Sequence, residues 1–158
     1  MLIGTNSKKL DISSKKKTQD ISERFASFLT KGDIVCLFGE VGVGKTTFIK
    51  YLINKLQKND MNKISEIPSP TFNILNEYKL KNFTIHHYDL YRLKNKQEIN
   101  DLELIENANN SITLIEWPEL LQNYIKNFIT LKFIYEDNLT KRSLIINSNN
   151  MRLINEFS

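Results

Sequence analysis

The chain has 158 residues, of which 41% are hydrophobic and 25% charged, and this is the size and composition of one globular domain. No apolar run is long enough to span a membrane and the first residues lack a signal-peptide core, so we expect a cytoplasmic protein. We expect one domain over 1–158, with an ordered core of about 12–147. The net charge of +4 permits contact with nucleic acid or an acidic partner without demonstrating it. A single cysteine, Cys36, excludes a disulfide framework and a thiolate metal cluster.

The first half of the chain predicts a helix, a buried strand and a second helix. Apolar side chains recur at helical spacing over 18–29, with Thr18 as the predicted N-cap. The apolar run 33–38 predicts a buried strand, in which the cysteine is a core residue. Helical spacing then continues to about Gln57.

The second half of the chain predicts a β-hairpin followed by alternating strands and short helices. The prolines of 67–72 exclude a helix there and favour an extended path. Strands rich in aromatic and β-branched residues are predicted at 71–78 and 83–89, joined by a polar turn. The remaining predicted elements are a helix at 97–105, a strand at 111–116, a short helix at 119–126, strands at 128–135 and 142–147, and a helix or tail at 151–157.

One motif stands between the first strand and the second helix: Gly39-Glu40-Val41-Gly42-Val43-Gly44-Lys45-Thr46 fits the phosphate-binding pattern G-x-x-x-x-G-K-[ST]. Its glycines let the backbone turn N–H groups around a phosphate, and the helix N-terminus adds positive potential. Lys45 is expected to contact the β- and γ-phosphates, and the Thr46 hydroxyl to bind Mg²⁺. The competing interpretation is a glycine-rich turn without nucleotide. The predicted nucleotide contacts are Glu40, Gly42, Val43, Gly44, Lys45, Thr46 and Thr47.

Two carboxylates end predicted strands. Glu116 closes the apolar strand before Trp117-Pro118, where it would hold Mg²⁺ through water or orient the attacking water. The alternative for Glu116 is a solvent-exposed strand end. Asp89 is either a switch-type residue near the γ-phosphate or a cap of the turn that follows it.

Other polar residues near these strands leave alternatives open. Arg92 would neutralise transition-state charge or pair with a carboxylate, and Ser69 and Thr71 offer hydroxyls to a phosphate or to a turn. The adjacent His86-His87 should point to opposite faces of a strand, which is poor geometry for a shared metal. We expect Trp117 to be a core residue.

Four stretches together resemble the bacterial TsaE (YjeE) family. They are 39–47, Ser69-Pro-Thr71, His87-Tyr-Asp-Leu-Tyr-Arg-Leu93 and Ile115-Glu-Trp-Pro118, and the resemblance spans about 12–147. It implies an α/β, P-loop NTPase-type three-layer fold, with a mostly parallel central sheet and an antiparallel hairpin. There are departures: Glu40 stands where many members have Asp, and 97–107 lacks a glycine usual in that helix.

The resemblance also implies a function. Family members are small ATPases that bind ATP and Mg²⁺, hydrolyse ATP weakly alone, and act with the TsaD and TsaB proteins in threonylcarbamoyladenosine modification of tRNA. The tRNA is contacted indirectly or lies nearby. By motif match, the catalytic residues are Lys45, Asp89 and Glu116, and the metal residues are Thr46 and Glu116. Lys141 or Arg142, and the Ser14-Lys15 region, would frame the nucleotide base.

Two other classes of function are weighed against this one. A small-molecule or nucleotide kinase of the P-loop class usually has an arginine-rich lid, whereas the arginines here are scattered over Arg24, Arg92, Arg142 and Arg152. A third class is a non-catalytic, nucleotide-dependent assembly factor, against which the intact Lys45, Thr46 and Glu116 argue for retained hydrolysis.

Overall fold

An eight-stranded sheet lies between two helical layers in residues 4–158, the part of the chain that the computed structural model describes. Residues 1–3 of the expected single domain lie outside it. The strands are β1 (Thr5–Asn6), β2 (Leu10–Asp11), β3 (Ile34–Phe38), β4 (Leu75–Lys79), β5 (Thr84–Asp89), β6 (Ser111–Glu116), β7 (Ile129–Glu136) and β8 (Lys141–Ser148). The helices are α1 (Lys15–Ala26), α2 (Lys45–Asn59), α3 (Lys96–Asn100), α4 (Leu104–Asn107) and α5 (Met151–Glu156), with 3₁₀ turns at Ala108–Asn110 and Pro118–Leu121.

The centre of the sheet is parallel. Its order is β1-β8-β7-β3-β6-β5-β4, with β2 also paired to β8. Strand β3 runs parallel to β6 and β7, and β5 runs parallel to β6. The hairpin strand β4 is antiparallel to β5, and β8 is antiparallel to β7. The predicted α/β fold, with a parallel central sheet and an antiparallel hairpin, is therefore confirmed.

The central strands are apolar on both faces because each face supports a separate core. Val35 and Leu37 of β3 face the core shared with α1, α2 and α5. Ile34 and Cys36 face the second core, with α3 and α4. The prediction that Cys36 is a core residue is confirmed, and burial raises the pKa of its thiol, which keeps it protonated.

Helix α1 begins earlier than its apolar pattern. Its N-cap is Ser14, whose Oγ accepts a hydrogen bond from the Lys17 backbone N–H at 3.2 Å. The prediction of Thr18 as N-cap is wrong, because Thr18 lies inside the helix and donates its hydroxyl to the carbonyls of Ile12 and Ser14. The first turn consists of lysines in solvent, so apolar spacing could not reveal it.

The single helix predicted at 97–105 is wrong, since the chain turns between α3 and α4. Glu103 has a left-handed backbone, with φ of 49°. This turn buries Ile99 and Leu104 in the second core and leaves Ile105 largely exposed. Leu104 lies five positions after Ile99, a spacing that one straight helix does not place on one face.

Other boundaries also differ from the predictions. The first hairpin strand starts at Leu75 and not at 71, because Ile74 has φ of 66° and closes a turn by donating its N–H to the Pro70 carbonyl. The helix predicted at 119–126 is reduced to the 3₁₀ turn after Trp117. Packed structure also extends beyond 12–147, since β1 and β2 pair with β8, α5 buries Leu153 and Ile154, and Phe157 directly after α5 is also buried.

None of the helices in residues 4–158 combines the length and the apolar character that crossing a bilayer requires. The apolar side chains of α2 instead face the sheet, and Phe48 is the centre of that contact. Its ring packs edge-on against Phe25 of α1, with centroids 5.8 Å apart, and against Phe133 of β7, at 5.6 Å. Phe48 thus fixes the helix that follows the glycine loop.

We expect Phe48→Ala to lower the free energy of unfolding by about 3–5 kcal/mol, because it leaves a cavity where three rings meet. Phe72→Ala is the matched control: Phe72 is 80% exposed, and its truncation should cost less than about 0.5 kcal/mol. Urea unfolding of both variants, followed by circular dichroism, measures the difference. Equal losses would contradict the packing described for α2.

Candidate functional site

A cavity of about 330 Å³ opens at the carboxyl edge of the parallel strands. This volume lies at the lower end of the range for small-molecule sites, and the edge is where open α/β sheets bind ligands. The cavity is lined by Val41, Gly42, Gly44, Lys45, Thr46, Thr47, Ser69, Thr71, Asp89, Tyr91, Glu116, Trp117 and Arg142. The glycine loop, the proline-framed loop and two strand ends therefore meet at one place.

The loop between β3 and α2 has a backbone that only glycine adopts without strain. Gly39 has φ of 149° and Gly44 has φ of 117°. Gly39 also lies so close to β7 that a Cβ there would be 2.9 Å from the Phe133 carbonyl oxygen. Tyr135 of β7 donates its hydroxyl to the Val41 carbonyl at 3.1 Å, and Val43 is buried in the core. The sheet thus holds the loop in shape.

Lys45 places a cation at the floor of this cavity. Its Nζ donates to the carbonyls of Gly39 and Glu40, the latter at 3.0 Å, and lies 4.0 Å from the centroid of the Trp117 ring. Burial lowers the pKa of Lys45, and the carboxylates around it, of which Glu116 is the strongest, oppose that shift. A partly desolvated ammonium attracts an anion, because the anion replaces the lost hydration.

The N-terminus of α2 adds to the positive electrostatic potential that Lys45 gives the cavity. Gly44 is its N-cap and offers no side chain to bind the N–H groups of the first turn. The helix has 15 residues, so its dipole is fully developed. Together with the buried Lys45, these N–H groups fit the phosphates of a nucleotide.

Glu116 lies beside Thr46 and is 2% exposed. The Thr46 hydroxyl donates to its carboxylate, at 2.9 Å from Oε1 and 3.0 Å from Oε2. The alternative of a solvent-exposed glutamate is therefore wrong. A hydroxyl and a carboxylate oxygen suit Mg²⁺, which keeps several waters and takes phosphate oxygens as further ligands. Residues 4–158 contain no cluster of three or more His, Cys, Asp or Glu that would form a metal site of its own.

Asp89 sits opposite Glu116 in the register of β5 and β6. Its Oδ1 accepts the Tyr91 backbone N–H at 3.0 Å, and its Oδ2 accepts the Thr71 hydroxyl at 3.2 Å. The Ser69 and Thr71 hydroxyls are 2.8 Å apart. Asp89 thus caps the turn after β5 and also lines the cavity, so the two interpretations of this residue are compatible.

The expectation that Trp117 is a core residue is wrong. Trp117 is half-buried, has a left-handed backbone with φ of 57°, and packs on the Tyr91 ring with centroids 4.8 Å apart. Its indole forms a wall of the cavity beside Lys45. Its position directly after a strand-end glutamate was the signal in the sequence, because the residue after a parallel strand lies at the ligand edge.

The adjacent histidines point to opposite faces, as predicted. His86 contacts Glu77, with Nε2 and Oε1 3.1 Å apart, whereas His87 lies in the interior with its Nε2 3.0 Å from Glu116 Oε1. Sequence reasoning missed the contact of His87 with Glu116. A period of two along β5 would have placed His87 on the same face as Asp89.

The remaining predicted residues are distributed as follows. Thr47 lines the cavity, and Glu40 is exposed and takes part through its backbone carbonyl. Lys141 forms an exposed ion pair with Asp137 at 3.3 Å, while its neighbour Arg142 lines the cavity. Among residues 4–158, Arg92 forms no ion pair with a carboxylate and does not line the cavity: its guanidinium stacks 4.6 Å from the centroid of the Phe72 ring.

Comparisons with known proteins find related sequences and a solved structure with a similar fold. Residues 12–144 match the family model described as threonylcarbamoyl adenosine biosynthesis protein TsaE. Three relatives carry the name tRNA threonylcarbamoyladenosine biosynthesis protein TsaE. The Rickettsia felis protein is 38% identical over 92% of this chain and 84% of its own. The Rickettsia typhi protein is 42% identical over 72% of this chain and 76% of its own. The Bacillus subtilis protein is 33% identical over 70% of this chain and 66% of its own.

A solved structure is similar over almost the whole length. The crystal structure of Bacillus subtilis YdiB superposes with a TM-score of 0.74, covering 98% of this chain and 95% of that one. The sequence identity of this pair is 21%, so the likeness demonstrates a shared fold.

We expect Gly39→Ala to destabilise the protein far more than Gly44→Ala. At Gly39 the new Cβ would meet Phe133 at 2.9 Å and Val43 at 3.0 Å, so strain and overpacking together should cost about 3 kcal/mol or more. At Gly44 no atom of the described chain other than its two neighbours lies within 4 Å of the added Cβ, so only the backbone conformation should cost, by about 1–2 kcal/mol. Chemical denaturation without ligand measures both; a larger loss at Gly44 would contradict the account of the loop.

Proposed function

We propose a function for this chain from one premise: it belongs to the TsaE family, whose members take part in the biosynthesis of threonylcarbamoyladenosine in tRNA. The proposed activity is Mg²⁺-dependent binding and slow hydrolysis of ATP. The protein acts in the cytoplasm as an accessory ATPase of the TsaD and TsaB proteins, with the tRNA contacted indirectly or nearby.

The observation that carries this proposal is the pairing of a buried Lys45 with the Thr46–Glu116 contact at the start of α2. Lys45 and the helix N-terminus would bind the phosphates, and Thr46 and Glu116 would hold Mg²⁺. The metal, when bound, neutralises charge on the phosphate oxygens. Glu116 would hold or orient the attacking water, and Asp89 would hold Thr71 and the turn at Tyr91 beside the γ-phosphate.

The arrangement of charges favours an accessory ATPase over the alternative of a kinase. Of the four arginines in the sequence, Arg142 lines the cavity. Arg24 is bound to Glu156 at 2.7 Å on another face, and Arg92 stacks on Phe72. A P-loop kinase surrounds the transferred phosphoryl group with several cations. With one arginine at the cavity, hydrolysis should be slow until a partner completes the site.

We expect Lys45→Met and Glu116→Gln to separate binding from turnover. Loss of the Lys45 charge should weaken ATP binding about 10–100-fold, because charge-assisted hydrogen bonds contribute about 1.5–3 kcal/mol. At saturating Mg²⁺, Glu116→Gln should leave ATP binding within a few-fold and lower hydrolysis about 100-fold or more. Calorimetric titration and phosphate release measure the two effects.

Glu106→Gln is the control for the second variant, because Glu106 is exposed in α4 and is not among the residues that line the cavity. It should behave as the unmodified protein does. Normal turnover in Glu116→Gln would remove Glu116 from the proposed role at the metal and the water.

We expect TsaD and TsaB to raise the rate of ATP hydrolysis, because a partner can close the open cavity and exclude water. The measurement is phosphate release with and without the two proteins, together with a pull-down of both in ATP and in ADP. No stimulation, combined with phosphate transfer to a small acceptor, would support the kinase alternative and overturn this proposal.

A further inference from the structure

His87 is a fully buried polar residue directly beneath the proposed metal site. It lies in β5, two residues before Asp89, and its side chain has no exposed surface. Its Nε2 lies 3.0 Å from Oε1 of Glu116, which is itself buried. This contact crosses from β5 to β6, whose ends form the cavity edge.

The chemistry of this contact fixes the direction of the hydrogen bond. A carboxylate only accepts, so the hydrogen lies on Nε2 of His87 and is donated to Oε1. Oε1 therefore meets two donors, the His87 ring and the Thr46 hydroxyl, whereas within residues 4–158 Oε2 accepts from Thr46 alone. Two donors from different elements restrict rotation of the Glu116 carboxylate.

The other ring nitrogen of His87, Nδ1, indicates that the main role of this side chain is its contact with Glu116. Among residues 4–158, no group hydrogen-bonds to Nδ1, although that atom is buried. An unsatisfied buried polar atom costs about 1–3 kcal/mol, which an apolar side chain at this position would avoid. A histidine here is therefore unfavourable for packing alone, and the donor at Nε2 is what it contributes.

We propose that His87 is a positioning residue that orients Glu116 for Mg²⁺ at the nucleotide cavity. This inference rests on the proposed function, because it assumes that the cavity binds Mg²⁺ with ATP. Partners that orient a metal-holding side chain typically change metal affinity 10–100-fold when they are removed. His87 would act through Glu116 and would not touch the nucleotide.

The neighbouring residue provides a matched control. His86 also pairs with a glutamate, with Nε2 3.1 Å from Glu77 Oε1, but on the opposite face of the strand and beside a half-exposed partner. His86→Leu therefore removes a histidine of β5 that also contacts a glutamate, and it leaves the surroundings of Glu116 unchanged. Any effect common to both leucine variants reports the stability of β5 and not the orientation of Glu116.

The experiment is calorimetric titration of ATP into the full-length protein, in excess EDTA and at a series of Mg²⁺ concentrations. We expect His87→Leu and His87→Asn to bind ATP in EDTA as the unmodified protein does. The Mg²⁺ concentration that gives half of the metal-dependent gain in affinity should rise about 10–100-fold. His87→Gln should restore it to within about threefold, because the glutamine amide can occupy the position of Nε2. His86→Leu should leave it unchanged.

The outcomes separate the two proposals. If the unmodified protein shows no Mg²⁺-dependent affinity for ATP, the proposed function fails and this inference fails with it. If it does, but His87→Leu and His87→Asn show the same Mg²⁺ dependence, or lose ATP affinity equally in EDTA, only the positioning role is overturned. Should the leucine variant fail to fold, the comparison of Asn with Gln decides, since both are polar and differ by one methylene in reach.

Discussion

The parallel pairing of β3, β5 and β6 is the constraint on which the site depends. Leu37 of β3 and Asp89 of β5 both lie opposite Glu116 of β6, so three chain segments end at one level of the sheet. The loop from β3 then turns directly into α2, whose first residues meet the Glu116 carboxylate. A one-residue slip of β6 would send Glu116 to the opposite face and remove it from Thr46.

Local patterns could predict the frame of this fold but not its exceptions. Apolar runs identified β3 and β6 because strands buried on both faces need such runs, and the glycine spacing identified the loop. The left-handed residues Glu103 and Trp117 could not be predicted in the same way, because neither is a glycine. Their backbones are set by what the following side chains must reach, which is a tertiary requirement.

The residues of the site that belong to a sequence motif could be predicted, whereas those placed by tertiary contacts could not. Lys45, Thr46 and the strand-end carboxylates come together in the cavity because strand ends and loop share one edge. The wall formed by Trp117 and the contact from His87 depend on packing between segments that are far apart in the sequence. The arginines are a further example of contacts that residue type alone does not reveal. Arg142 lines the cavity, whereas Arg92 stacks on Phe72.

The hydrogen bond between Thr46 and Glu116 joins residues that are 70 positions apart in the chain. An unfolded or partly synthesised chain has no such contact and thus no complete site. Any ligand that needs both groups binds the folded state alone, and at a hundredfold excess over its Kd it adds about 2.7 kcal/mol to the free energy of unfolding. Binding at the cavity therefore depends on complete folding, and the concentration of the ligand would set part of the stability of the native state.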